Sequence, residues 1–185
     1  MRSENPAQVP PFSTLLPLVR DLLFLRRGPQ ELPHSPALLA LLIGATLALD
    51  AALAEHIVQI GLPHMAFSLL LMLVLTWLAL RIGEKSARFV QTASALLATG
   101  VVLTLLEIPM LLGIGSIPPE PKVFTPGQSL SLLFALMFLI WEIAVAGHIL
   151  RHALDLKLRL GVLVAVVFFA VDRFAGMFLF ERAAG

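Results

Sequence analysis

Cysteine is absent from this chain, and so is tyrosine. Without cysteine there is no disulfide, no thiolate metal ligand and no cysteine nucleophile, although the redox compartment stays open. Charge is scarce. Asp, Glu, Lys and Arg make up 14% of the 185 residues, against about a quarter in a soluble domain. So few charges cannot cover a water-facing surface. The formal net charge is +1, which excludes the broad basic field that nucleic acid binding needs. Catalytic signatures are missing too: there is no G-x-S-x-G elbow, no P-loop and no H-E-x-x-H. Ser116, in "GIGSI", lacks the second glycine of the elbow. Nothing in the sequence argues for an enzyme, sparse membrane catalytic sites stay open, and no cofactor is expected.

What fills the space is apolar. Hydrophobic residues are 58% of the chain and mean hydropathy is +0.92. They fall in blocks, and about 20 apolar residues suffice to cross about 30 Å of hydrocarbon. Five blocks qualify: roughly 36–55, 63–81, 91–113, 129–150 and 160–180. The fold class expected is an all-α membrane protein, a bundle of five transmembrane helices. The first block begins too far along for a cleavable signal peptide and has no small-residue cleavage site after it, so span 1 is expected to stay and act as its own insertion signal. No internal repeat stands out. The outer loop 114–128, with four prolines and two glycines, reads as a spacer or lid.

Basic residues set the expected orientation. Arg2, Arg20, Arg26 and Arg27 precede span 1; Arg81, Lys85 and Arg88 separate spans 2 and 3; Arg151, Lys157 and Arg159 separate spans 4 and 5. These ten of 13 basic residues fall on one side, so the N-terminus is placed in the cytoplasm and the C-terminus outside, in a bacterial inner membrane. Trp77 and Trp141 lie toward the basic ends of their spans, as interfacial aromatics do. The chain divides into a cytoplasmic N-terminal segment, 1–35, and a membrane domain, 36–185. Within the first, residues 12–27 are too short and too charged to cross. Phe12, Leu15, Leu16, Val19, Leu22 and Leu23 share one helical face, with Arg20, Asp21 and Arg27 off it. This predicts an amphipathic helix lying in the plane of the headgroups and ending at Gly28-Pro29, either as an anchor for span 1 or as a docking helix.

Charges inside the spans are the candidate site. At 1.5 Å per residue, Asp50 lies about 21 Å up span 1, Glu107 about 21–24 Å up span 3, and Asp172 with Arg173 about 18–20 Å up span 5. One layer can hold all four. Glu142 is expected lower, about 10 Å from the cytoplasmic side. Neighbouring helical residues point about 100° apart, so Asp172 and Arg173 are expected to pair poorly with each other and Arg173 to meet Asp50 or Glu107 on another helix. Thr46 lies one turn before Asp50, and Gly100 and Thr104 lie on the face of Glu107. The layer reads either as a structural clasp or, through its surplus carboxylates, as a proton or cation path.

Two further patterns stand out. Ala40, Gly44, Ala48 and Ala52 recur every four residues on span 1, a ridge of the kind that lets a second helix approach, from another chain or from within. His148 and His152 are spaced i,i+4, which suits two ligands of one metal. They lie at the cytoplasmic end of span 4, while His56 and His64 flank the opposite loop, so the histidines cannot form one four-ligand centre. The pair is a weak metal candidate with Asp155 or His34 as the remaining donors, and an i,i+4 pair on one helix cannot ligate both faces of a haem.

The lead "LVRDLLFLRRGPQELPHSP" running into five closely spaced spans resembles the bacterial members of the Yip1 family. The resemblance implies a five-span architecture behind a cytoplasmic N-terminal segment and a role without catalysis. Eukaryotic members carry D-L-Y-G-P and G-Y-G motifs; this chain has no tyrosine, so no functional residues are carried over. The first expectation is a scaffold or accessory subunit, acting in the lipid bilayer as a homo-oligomer or within a larger membrane complex. The alternative is a proton- or cation-coupled transporter.

Overall fold

A computed structural model describes residues 11–54, 61–114 and 124–181. Among these the chain is all helical: α1 (Phe12–Leu23), α2 (Pro36–Leu53), α3 (Leu62–Ile82), α4 (Phe89–Ile114), α5 (Pro126–Leu154) and α6 (Leu158–Gly176), with a π-helical turn at Met177–Glu181 and short 3-10 turns at Pro29–Glu31 and Ser86–Arg88. Five of the segments, beginning at Pro36, Leu62, Ser86, Pro126 and Leu158, are long and apolar enough to cross a membrane. The chain is therefore a multi-pass helical membrane protein by length and composition. His56, most of the loop 114–128, and the termini at 1–10 and 182–185 lie outside the described residues.

Local chemistry sets the helix ends. Ser35 Oγ accepts from the Leu38 amide at 3.2 Å and Pro36 follows, so α2 starts there. At α5, Thr125 Oγ1 accepts from Gln128 N at 3.2 Å while Gln128 Oε1 accepts from Thr125 N at 3.0 Å. This reciprocal capping starts the helix three residues earlier than hydropathy alone places it. At their other ends α1, α3 and α5 close alike: Arg26 N bonds to Asp21 O, Lys85 N to Leu80 O and Leu156 N to Arg151 O, at 2.7–2.8 Å. The residue before each donor, Leu25, Glu84 and Asp155, takes φ of 57–59°. These are Schellman closures built without glycine. They end α1 at Leu23, ahead of the expected stop at Gly28-Pro29.

Around the bundle the neighbours run α2, α4, α5, α6, α3 and back to α2. The α5–α6 contact is the most extensive and those of α3 are sparse. Gly147 of α5 and Gly161 of α6 explain the difference. A Cβ at Gly147 would lie 2.8 Å from Val162 Cα, and one at Gly161 would meet the Gly147 carbonyl. Backbone approaches backbone here, as small residues permit. The ridge of Ala40, Gly44, Ala48 and Ala52 is not used this way: all four are exposed, and a Cβ at Gly44 meets nothing within 4 Å.

The end of the bundle bearing Arg81, Arg88, Arg151 and Lys157, here the basic end, also holds α1. Leu15 and Leu22 of α1 join Leu32, Leu38, Ala95, Val145 and Ile149 in a buried apolar cluster. Much of the expected apolar face of α1 thus meets protein, with Leu15, Leu22 and Leu23 at most 8% exposed, while Leu16 on the same face stays 64% exposed. Polar bonds fasten the segment. Trp141 Nε1 donates to Leu23 O at 3.0 Å, His148 Nε2 meets Arg27 O at 3.0 Å, Gln30 Nε2 donates to His152 O, and Gln91 Nε2 reaches Leu32 O at 2.6 Å.

Candidate functional site

A cavity of about 400 Å³ lies inside the bundle and takes wall residues from all five long helices. α2 contributes Thr46 and Asp50, α3 His64 and Ser68, α4 Thr99, Gly100 and Thr104, α5 Glu142, and α6 Asp172 and Arg173. The rest of the wall is mainly apolar. Asp50, Asp172 and Arg173 therefore share one space, as the depth argument expects, and Thr46, Gly100 and Thr104 face it with them.

Three placements differ from expectation. Glu142 lines the cavity and lies within electrostatic reach of Arg173 and Asp172. The Gly147–Val162 contact sets the two helices in register. Glu142 then stands about a turn and a half below Asp172. Glu107 does not line the cavity; it sits on α4 beyond Thr104, half-buried, within electrostatic reach of Glu142. Arg173, finally, pairs with its own neighbour: its Nη2 lies 3.5 Å from Asp172 Oδ2, and no ion pair joins it to Asp50 or Glu107 among the described residues. The long guanidinium stem curls back across the 100° that separates the two Cβ atoms. The pair is loose, since well-made charge-assisted bonds are about 2.7–2.9 Å.

Two buried polar atoms at the wall lack hydrogen-bond partners among the described residues: Asp172 Oδ1 and His64 Nε2. The His64 imidazole stacks on Phe180, with centroids 4.9 Å apart and planes 3° from parallel. It packs against Gly176, where an added Cβ would sit 2.5 Å from Nε2. In the sequence His64 flanks a loop. Its spacing of two residues from the α3 start gave no sign that it turns inward.

The His148–His152 pair gathers no metal-binding set. The rings meet edge to face at 4.6 Å, His148 Nε2 is engaged by the Arg27 carbonyl, and His152 Nε2 lies 3.1 Å from Arg151. Asp155 is occupied by Lys85 at 2.7 Å and Arg88 at 2.9 Å. Hydrogen bonds from Arg88 and then Lys85 hold its carboxyl down from 3.8 to about 2. No group of three or more His, Asp or Glu among the described residues is disposed to hold a metal ion. The basic end is thus a structural latch between the N-terminal segment, α4 and α5.

Comparison with protein-family models, with curated proteins and with solved structures returns no match to this chain.

Proposed function

We propose that this protein is a proton- or cation-coupled membrane transporter whose solute site is the central cavity. One observation carries the reading: three carboxylates from three different helices, Asp50, Glu142 and Asp172, line one cavity with a single guanidinium, Arg173. Ionisable groups inside a span are costly and mark solute paths when they face a cavity. A clasp alone needs one carboxylate per cation, and here the surplus lines open volume. The distribution of Lys and Arg supports a cytoplasmic N-terminus and a bacterial inner membrane. Exposed Leu16, Phe24 and Leu25 beside Arg20 and Arg26 support α1 resting on the headgroups while it packs against the bundle. In liposomes, Asp50→Asn and Glu142→Gln should abolish proton or sodium flux while the folded fraction stays unchanged. Equal flux in parent and variant vesicles would sink the reading.

A second reading, an accessory subunit or scaffold, draws on the ridge of Ala40, Gly44, Ala48 and Ala52, open along its length. It predicts that Gly44→Leu lowers the native mass of the assembly in mild detergent. An unchanged mass counts against that contact.

A further inference from the structure

We propose that the cavity takes a small alkylammonium ion in preference to a bare metal cation, and that Arg173 is the tethered cation this ligand displaces. The proposal rests on the transporter reading and specifies its solute class. Volume argues first. A space of about 400 Å³ lies in the range of small-molecule sites. A hard metal ion is instead held by converging oxygens at about 2.0–2.6 Å. The cavity carboxylates do not converge in that way: they meet no metal-holding arrangement among the described residues.

The wall argues next. Phe168, Phe169, Met72 and Leu75 line the same space as the carboxylates. These four side chains offer no oxygen to a small inorganic cation. They do suit alkyl groups, and aromatic rings attract alkylated ammonium. Charge and geometry then identify the displaced group. Arg173 holds Asp172 at 3.5 Å through one oxygen and leaves the buried Oδ1 unpartnered. Its side chain is about half exposed, so packing does not fix it in that pose. A ligand ammonium entering between Asp50, Glu142 and Asp172 takes over the pairing that Arg173 makes poorly.

The test is calorimetric titration of the purified full-length protein in mild detergent with tetramethylammonium chloride, and separately with sodium chloride. Tetramethylammonium should bind saturably and sodium should not compete at equal concentration. Asp172→Asn should weaken binding about tenfold or more, as expected when one member of a buried charge pair is removed. Arg173→Gln should tighten it, because the competitor is gone. Should Arg173→Gln fail to fold, Phe168→Leu serves, with weaker tetramethylammonium binding expected. Sodium competing on equal terms, or Arg173→Gln weakening binding as Asp172→Asn does, would overturn the proposal. If carboxylate-dependent proton or sodium flux is seen without tetramethylammonium binding, the transporter reading stands and this one falls. If neither is seen, both fall.

Discussion

The α5–α6 crossing offers the sharpest test of the packing argument. An alanine at Gly147 brings its Cβ to 2.8 Å from Val162 Cα and Cγ2 and 3.0 Å from Val162 N. Carbon atoms rest at about 3.5–4.0 Å, so the helices must part by roughly 1 Å. Two of the three opposing atoms are backbone and cannot rotate away. Overpacking of this kind costs about 1–3 kcal/mol, and a gap of 0.5–1 Å forfeits about a quarter to a half of each neighbouring dispersion contact. Alanine returns up to about 1 kcal/mol of helix propensity, leaving a net loss of about 1–2 kcal/mol. Gly44→Ala is the control, since its Cβ meets nothing within 4 Å and keeps the propensity gain. Reversible unfolding in mixed micelles should separate the two variants in opposite directions from the parent. The double variant Gly147→Ala/Gly161→Ala should cost less than the sum, because one separation relieves both clashes. Equal shifts for Gly147→Ala and Gly44→Ala would refute the close-approach account.

At the basic end, Asp155→Asn keeps a residue that tolerates φ of 57° but removes both ion pairs. Because the folded carboxyl sits near 2 and its ordinary value is 3.8, the contribution is complete above that ordinary value and fades as pH falls through 2. The variant should therefore unfold at lower temperature than the parent near neutral pH, and the gap should close toward pH 2; a gap independent of pH refutes the pairing. Trp141→Phe keeps the ring near Phe24 and Phe138 and loses the 3.0 Å bond to Leu23 O, at about 0.5–1.5 kcal/mol. Protease cleavage between α1 and α2 should rise in the variant, and an unchanged rate would show that this bond does not hold the latch.

The spans were legible because hydropathy over 20 residues needs no tertiary context: the expected ends fall within four residues of the observed ones. Some finer signals were present but unread. "TPGQ" is a capping box that starts α5 at Pro126, and Gly161 with Ala165 has the small-x-x-x-small spacing of a helix crossing. Other features could not be read. Leu25, Glu84 and Asp155 adopt a conformation that sequence associates with glycine, while Gly28 stands three residues beyond Leu25 as the stop that sequence suggests. Asp50, Asp172 and Arg173 were placed together by depth alone. Glu142 lies lower than these, as its position in the span implies, and still lines the cavity, whose wall runs along α5 from Glu142 to Leu150.

The same helix joins the two halves of the molecule. Trp141, which fastens α1, is followed directly by Glu142, which lines the cavity. Val145 and Leu96 each belong to the α1 packing cluster and to the cavity wall. The seat of α1 and the shape of the cavity are thus set by shared side chains. On the other side, Gly147 and Gly161 lock α5 to α6 through backbone contact that has no slack. α3 is different: its contacts are sparse, and its end near His64 is held by that imidazole, stacked on Phe180 and fitted over Gly176, and by Phe67 edge-on to the same Phe180. No single neighbour holds α3 as α5 and α6 hold each other. A side chain at position 176 would remove the space His64 occupies, and with it the one polar group that α6 lets α3 bring to that end of the cavity.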